Sequence, residues 1–114
     1  MSPIIQYLLR SLKEEEIYKN NRIQHKESYI LRLITLAYLT EKTLRVSDLL
    51  SNHDLGSYPT IQSYITKLVL KGFVIRKISD EDKRVQFLIP SDNAISLFDQ
   101  LSKALYDEKI VSTP

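Results

Sequence analysis

Apolar residues recur along most of the chain at helical spacing, and this pattern predicts three long helices. In the segment 3–16 they lie on one helical face, with Pro3 suited to the first turn and Ser2 to the cap. The segment 27–39 is apolar almost all round and is long for one strand, which predicts a buried central helix. The segment 91–107 again carries its apolar residues on one face.

The pattern changes twice between the second and the third of these helices. After a polar connection at 40–45, Ser47 is expected to cap a short helix, which ends in an Asn-, Asp- and Gly-rich turn at 52–56. A further helix is predicted over 59–71. The segment 73–89 has two runs of β-branched and aromatic residues around a charged tip, which predicts a hairpin.

This order of elements is typical of a winged helix-turn-helix domain, in which the hairpin is the wing. We therefore predict a mainly α (α+β) fold in a single domain that spans residues 1–114, with a two-stranded wing at 73–89. The core would span 27–89, and the N- and C-terminal helices at 3–16 and 91–107 would flank it.

The composition excludes several kinds of site. Hydrophobic residues make up 43% of the chain and charged residues 26%, as in globular proteins. Because there is no cysteine, disulfides, thiolate metal sites and thiol redox chemistry are excluded, and two histidines are too few for a metal cluster. No apolar run reaches the length of a membrane span and no secretory signal is recognisable, so a cytoplasmic protein without membrane contact is expected.

Enzymatic activity is not expected either. The chain has two glycines and no glycine-rich phosphate loop, and its histidines lack the spacing of a triad or a metal site. The carboxylates of Asp80, Glu81 and Asp82 suggest a divalent cation, but a hairpin tip with Lys83 and Arg84 beside them offers too few ligands. We therefore predict no metal and no cofactor.

Positive charge is concentrated on the helix at 59–71 and the hairpin. The segment 55–79 contains no acidic residue. Its four bases are Lys67, Lys71, Arg76 and Lys77. With Ile61, Ile65 and Leu68 toward the core, the opposite face of this helix is small, polar and basic. Such a face suits the base edges of a DNA major groove, and an ordinary solvated face is the alternative.

The register from this helix into the wing resembles that of the MarR-type transcription regulators. Lys71-Gly72-Phe73-Val74 is followed after one residue by Arg76, and Asp82-Lys83-Arg84 follows after five more. Upstream, the segments 46–50 and 60–63 are similar to the family's first helix of the helix-turn-helix and to the start of its recognition helix.

The resemblance implies a sequence-specific regulator of transcription that binds double-stranded DNA. The recognition helix at 59–71 would lie in the major groove and the wing at 79–85 at the minor groove. Arg84 would enter the minor groove, and Asp82 would pair with Arg76 and orient the wing; a surface ion pair at the tip is the alternative. The predicted DNA-binding residues are Ser57, Tyr58, Thr60, Gln62, Ser63, Lys67, Lys71, Arg76, Lys83 and Arg84.

Two copies of the chain are expected to form a homodimer through apolar positions of the first and last helices. These positions are Ile4, Ile5, Leu8, Leu9, Leu12, Leu97, Phe98, Leu101 and Leu105. A two-fold dimer would read a pseudo-palindrome with half-sites about one turn apart. Coverage of the chain's own core by the first helix is the alternative.

Two questions stay open at the level of the sequence. The resemblance implies a small-molecule effector, but neither its identity nor its site follows from the residues. The alternative function is a winged-helix protein–protein interaction module without specific DNA binding.

Overall fold

The computed structural model describes residues 2–105, which form five α-helices and three β-strands. The helices are α1 (Pro3–Asn20), α2 (His25–Leu39), α3 (Val46–Leu50), α4 (Tyr58–Leu70) and α5 (Asp92–Leu105). The strands are β1 (Leu44–Arg45), β2 (Val74–Ile78) and β3 (Gln86–Pro90), and one turn of 3₁₀ helix spans His53–Leu55. This arrangement confirms the mainly helical α+β winged helix fold. The predicted end of the last helix at 107 lies outside the described residues.

The strands form an antiparallel sheet in the order β1-β3-β2. The predicted hairpin is β2 and β3, which pair from Val74 opposite Pro90 to Ile78 opposite Gln86. The prediction of two strands and a polar connection at 40–45 is wrong in one respect, because Leu44 pairs with Leu88 as part of a third strand. A strand of two residues is too short to show alternation, and it forms only where the other edge of β3 is available to it.

The core around the sheet lies between α2, α4 and β3. In α4, Ile61, Ile65 and Leu68 have no exposed surface, as their spacing predicts. The expectation that α2 is buried all round is wrong, because Leu36 and Leu39 are each 63% exposed. Both faces of α2 are apolar, so the periodicity of the sequence does not distinguish the buried face from the exposed one.

Two helix starts show how local polar groups set the boundaries. The hydroxyl of Ser2 accepts the backbone N–H of Ile4 at 3.2 Å, so Ser2 is the cap of α1. The cap of α3 is Arg45 rather than the predicted Ser47, because the backbone N–H of Arg45 donates to Asp48 Oδ2 at 2.8 Å. An acid three residues after the cap satisfies the cap's own N–H, which displaces the helix start by two residues.

The end of α4 is fixed by Gly72, whose φ of 83° favours glycine. The N–H of Gly72 donates to the carbonyl of Val69 and that of Phe73 to the carbonyl of Leu68, which is the Schellman arrangement. Ser91 Oγ donates to the Gly72 carbonyl at 2.6 Å and accepts from the N–H of Ala94, so Ser91 also caps α5. The hydrogen bond between Ser91 and Gly72 therefore holds the start and the end of the wing next to each other.

The chain divides into two compact units. His25–Ile95 forms one unit and contains the helix-turn-helix and the sheet, while α1 and the second part of α5 belong to the other. The helix α1 is longer than the predicted 3–16 and ends at Asn20, with Ile17 and Tyr18 buried. No helix among residues 2–105 is long and apolar enough to cross a membrane.

Candidate nucleic-acid interface

The helix α4, the second helix of the helix-turn-helix, presents small polar residues and one base to solvent. Thr60, Ser63 and Lys67 are exposed and Gln62 is partly exposed, on the side away from the buried isoleucines. Tyr58 opens the helix and is 61% exposed. Ser57 precedes it, and its hydroxyl lies 2.8 Å from that of Thr60.

Lys71 does not belong to this exposed face. Its Nζ donates to both carboxylate oxygens of Glu27 at 2.9 Å, and Glu27 has no exposed surface. The contact ties the end of α4 to the start of α2, which puts the lysine in a structural role. The structure therefore does not support the prediction that Lys71 contacts phosphate.

The wing tip is built by two side chains that hold the turn. Ser79 Oγ accepts the N–H groups of Glu81 and Asp82, and Asp82 Oδ1 accepts the N–H of Arg84 at 3.0 Å. The Asp82 carboxylate also accepts from Nε and Nη2 of Arg84, each at 3.1 Å. The predicted pairing of Asp82 with Arg76 is wrong. The ion pair at the tip, which was the alternative, is present, because Arg84 lies two positions along and reaches the carboxylate within the same turn.

Asp82 is a stronger acid than an ordinary aspartate side chain. The hydrogen bonds from the Arg84 side chain and then from the Arg84 backbone N–H hold the pKa of the Asp82 carboxyl below its usual value of 3.8. Arg84 itself is held only from one side, since its side chain is 90% exposed. The guanidinium therefore stands out from the tip, with its orientation set by the neighbouring carboxylate.

Arg76 connects the wing to the recognition helix instead. Its Nη2 donates to the hydroxyl of Thr66 at 3.1 Å. Lys83 is exposed at the tip beside Arg84. On the helix, the ammonium of Lys67 lies 5.7 Å from the centre of the Tyr64 ring, a cation–π contact that places the aromatic residue next to the basic face.

An open groove of about 360 Å³ lies between α3, α4 and the wing. It is lined by Arg45, Val46, Ser47, Leu50, Tyr58, Gln62, Arg76, Arg84, Val85 and Gln86. Three of these residues are arginines and none is acidic. Four of the predicted contacts meet here, whereas Arg45, Ser47 and Gln86 were not predicted. Arg45 reaches the groove through the pairing of β1, which had no signal in the sequence.

The predicted dimer positions differ in their accessibility. Five of them form the exposed face of α1, where their exposed fractions run from 39% at Leu9 to 71% at Ile4. In α5, Leu97 and Leu101 are buried by the chain itself and Phe98 is partly exposed. The side chain of Leu105 lies outside the described part of the structure.

The acidic tip of the wing does not assemble a metal site. Among residues 2–105 no group of three or more His, Asp or Glu side chains is placed to hold a metal ion. Asp82 is occupied by Arg84.

No protein-family model matches this chain, and no curated protein matches it. Solved structures do. The transcriptional regulator Tm0710 from Thermotoga maritima has a TM-score of 0.72 at 17% identity, over 93% of this chain and 72% of that one. A MepR variant of S. aureus bound to an oligodeoxyribonucleotide has a TM-score of 0.74 at 15% identity, over 92% and 75%. NadR in complex with 4-hydroxyphenylacetate has a TM-score of 0.63 at 22% identity, over 90% and 69%.

These neighbours are MarR-family transcriptional regulators, which agrees with the resemblance drawn from the wing register. At such low identity the likeness concerns the backbone. The chain therefore has the winged helix fold of the MarR-family regulators.

Proposed function

We propose that the protein is a sequence-specific regulator of transcription that binds double-stranded DNA and is not an enzyme. Its recognition helix α4 enters the major groove, where Thr60, Gln62 and Ser63 read base edges. Arg84 at the wing tip lies in the minor groove, whose negative potential attracts a guanidinium. Lys67 and Lys83 contact phosphates and supply the salt-dependent part of the affinity.

The observation that carries this proposal is that no acidic residue lies on the exposed face of α4 or lines the helix–wing groove. A solvated protein surface normally mixes charges of both signs. Here the exposed face of α4 has no acid, and three arginines line the groove beside it. The carboxylates of Asp48 and Asp82 pair with Arg45 and Arg84 but do not line the groove. Such a surface attracts a polyanion such as DNA and repels a basic partner.

The proposal also includes a homodimer formed through α1. Ile4, Leu8 and Leu12 share one side of this helix and expose 71%, 49% and 65% of their surfaces. Exposed apolar faces of this kind are typical of helices that pack on another chain. A two-fold dimer would place two recognition helices about one DNA turn apart.

Fluorescence anisotropy with DNA fragments of mixed sequence over a salt series tests the function. We expect tight binding to a minority of fragments, a steep fall in affinity with salt, and weaker binding by Arg84→Ala. Lys26→Ala is the matched control, because it removes an exposed charge on α2 outside the groove. Weak binding to all fragments, indifferent to Arg84, would instead favour a protein–protein interaction module.

A further inference from the structure

The sugar–phosphate strand has a defined course between the two DNA-contacting elements. If α4 occupies the major groove and the wing tip the adjacent minor groove, the backbone that separates the two grooves must pass between them. The space between α4 and the wing is the groove lined by Arg45 and Arg76. We propose that Arg45 and Arg76 together hold one phosphate of the DNA backbone in this groove. This inference rests on the DNA-binding function proposed above.

Arg76 forms the fixed wall of this phosphate site. It is partly buried, and its Nη2 donates to the hydroxyl of Thr66 at 3.1 Å. A guanidinium has five N–H donors, so the contact with Thr66 leaves donors for a phosphate oxygen. Because the side chain is already held in place, little conformational entropy is lost when the phosphate binds.

Arg45 forms the other, adjustable part of the site. Its side chain is 53% exposed, and its Nη2 lies 3.5 Å from Asp48 Oδ1, the outer limit of a hydrogen bond. Exposed ion pairs of this kind contribute little, so a phosphate can draw the guanidinium away from Asp48 at small cost. The Asp48 carboxylate keeps its shorter contact with the Arg45 backbone N–H at 2.8 Å.

Neutral donors complete the site. Tyr58 and Ser47 line the same groove and carry hydroxyl groups. A backbone phosphodiester shares one negative charge between its two non-bridging oxygens, which accept hydrogen bonds from several directions. Guanidinium groups match this geometry better than ammonium groups do. Arg84 is engaged by Asp82 at the tip and keeps its separate role in the minor groove.

The test is a methylphosphonate scan of a duplex that the wild-type protein binds. Each duplex carries one neutral methylphosphonate in place of one backbone phosphate, and its affinity is compared with that of the unmodified duplex. For the wild type we expect losses at each contacted phosphate, including those of Lys67 and Lys83, and a loss of roughly tenfold at the one position per half-site that Arg45 and Arg76 hold. In Arg45→Gln, that loss should shrink to roughly twofold or less, because the phosphate has already lost a charged partner.

Controls distinguish a failure of the phosphate site from a failure of the proposed DNA binding. Lys26→Gln should reproduce the wild-type scan, because Lys26 is exposed on α2 and does not line the groove. An Arg45→Gln scan identical to that of the wild type, with DNA binding intact, would overturn the phosphate site and leave the proposed function standing. A wild-type protein that binds no duplex in a salt-dependent manner would overturn both.

Discussion

Lys71 follows the recognition helix directly and carries its charge inward, onto a carboxylate with no exposed surface. Lys67, one turn earlier, carries its charge outward. The two lysines belong to one basic segment of the sequence, but the structure gives them different physical roles. Substitution of Lys71 should therefore lower stability and leave the salt dependence of DNA binding unchanged. Substitution of Lys67 should weaken DNA binding and leave stability nearly unchanged.

We expect Lys71→Met to lower the free energy of unfolding by about 3 kcal/mol, because it removes the ammonium that faces the buried Glu27. The salt dependence of DNA binding should not change where the variant is folded. Lys67→Met should change stability by less than about 0.5 kcal/mol and lower the log–log salt slope by about 0.9. Urea denaturation and binding across a salt series measure both effects. A reduced slope in Lys71→Met would contradict its structural assignment.

Asp82 makes a prediction about pH. The pKa of its carboxyl is lowered in the folded protein, so its ion pair with Arg84 contributes fully above the usual value of 3.8 and is lost only as the pH falls through the lower, folded value. The Arg84 Nε–H resonance should therefore show no titration near pH 3.8 or above it, and should shift only at lower pH. An NMR titration with Asp82→Asn as the control measures this. A midpoint at or above 3.8 would contradict the pairing.

Residue partners were the least predictable part of the site. The spacing of Asp82 and Arg84 placed both on the wing, but their ion pair was only the alternative prediction, behind a pair of Asp82 with Arg76. Arg45 was missed altogether, because its place in the groove depends on the pairing of Leu44 with Leu88, residues far apart in the sequence. Contacts that depend on such long-range pairing have no local signal.

Among the elements, α4 is the one that its sequence describes most completely. Its buried positions repeat at helical spacing, and Gly72 has the left-handed conformation that ends the helix. These are local properties, so they were predictable. The strand β1 has no such local property, and the outer face of α2 is as apolar as its inner face. The formation of β1 and the choice of which face of α2 is buried depend on the residues that pack against these elements.

The two faces of α4 should differ sharply in their contribution to stability. Ile65→Ala should lower the free energy of unfolding by about 2–5 kcal/mol, because Ile65 is fully buried and the core cannot close over the missing atoms. Leu70→Ala on the same helix should change it by less than about 0.5 kcal/mol, because Leu70 is 81% exposed. Urea denaturation of both variants measures the difference. Equal losses would contradict the orientation of α4.

At the scale of the whole molecule, the proposed dimer depends on the exposed face of α1. We expect the wild-type chain to be dimeric at micromolar concentration and Leu8→Glu to be monomeric, because a charge would be buried in the apolar interface. Leu36→Glu is the matched control, since Leu36 is 63% exposed on α2 and lies outside that face. Analytical ultracentrifugation distinguishes the states. A monomeric wild type would rule out this interface at that concentration.

The central claim is that the chain reads DNA sequence through α4, and selection from a random pool of duplexes tests it most directly. The wild type should enrich one family of pseudo-palindromic sequences. Gln62→Ala should change the enriched bases within each half-site, whereas Lys67→Ala should lower affinity without changing the sequence, because phosphate contacts carry no base information. A wild-type selection that enriches no sequence, or a Gln62→Ala selection identical to it, would contradict the claim that Gln62 in α4 reads the bases.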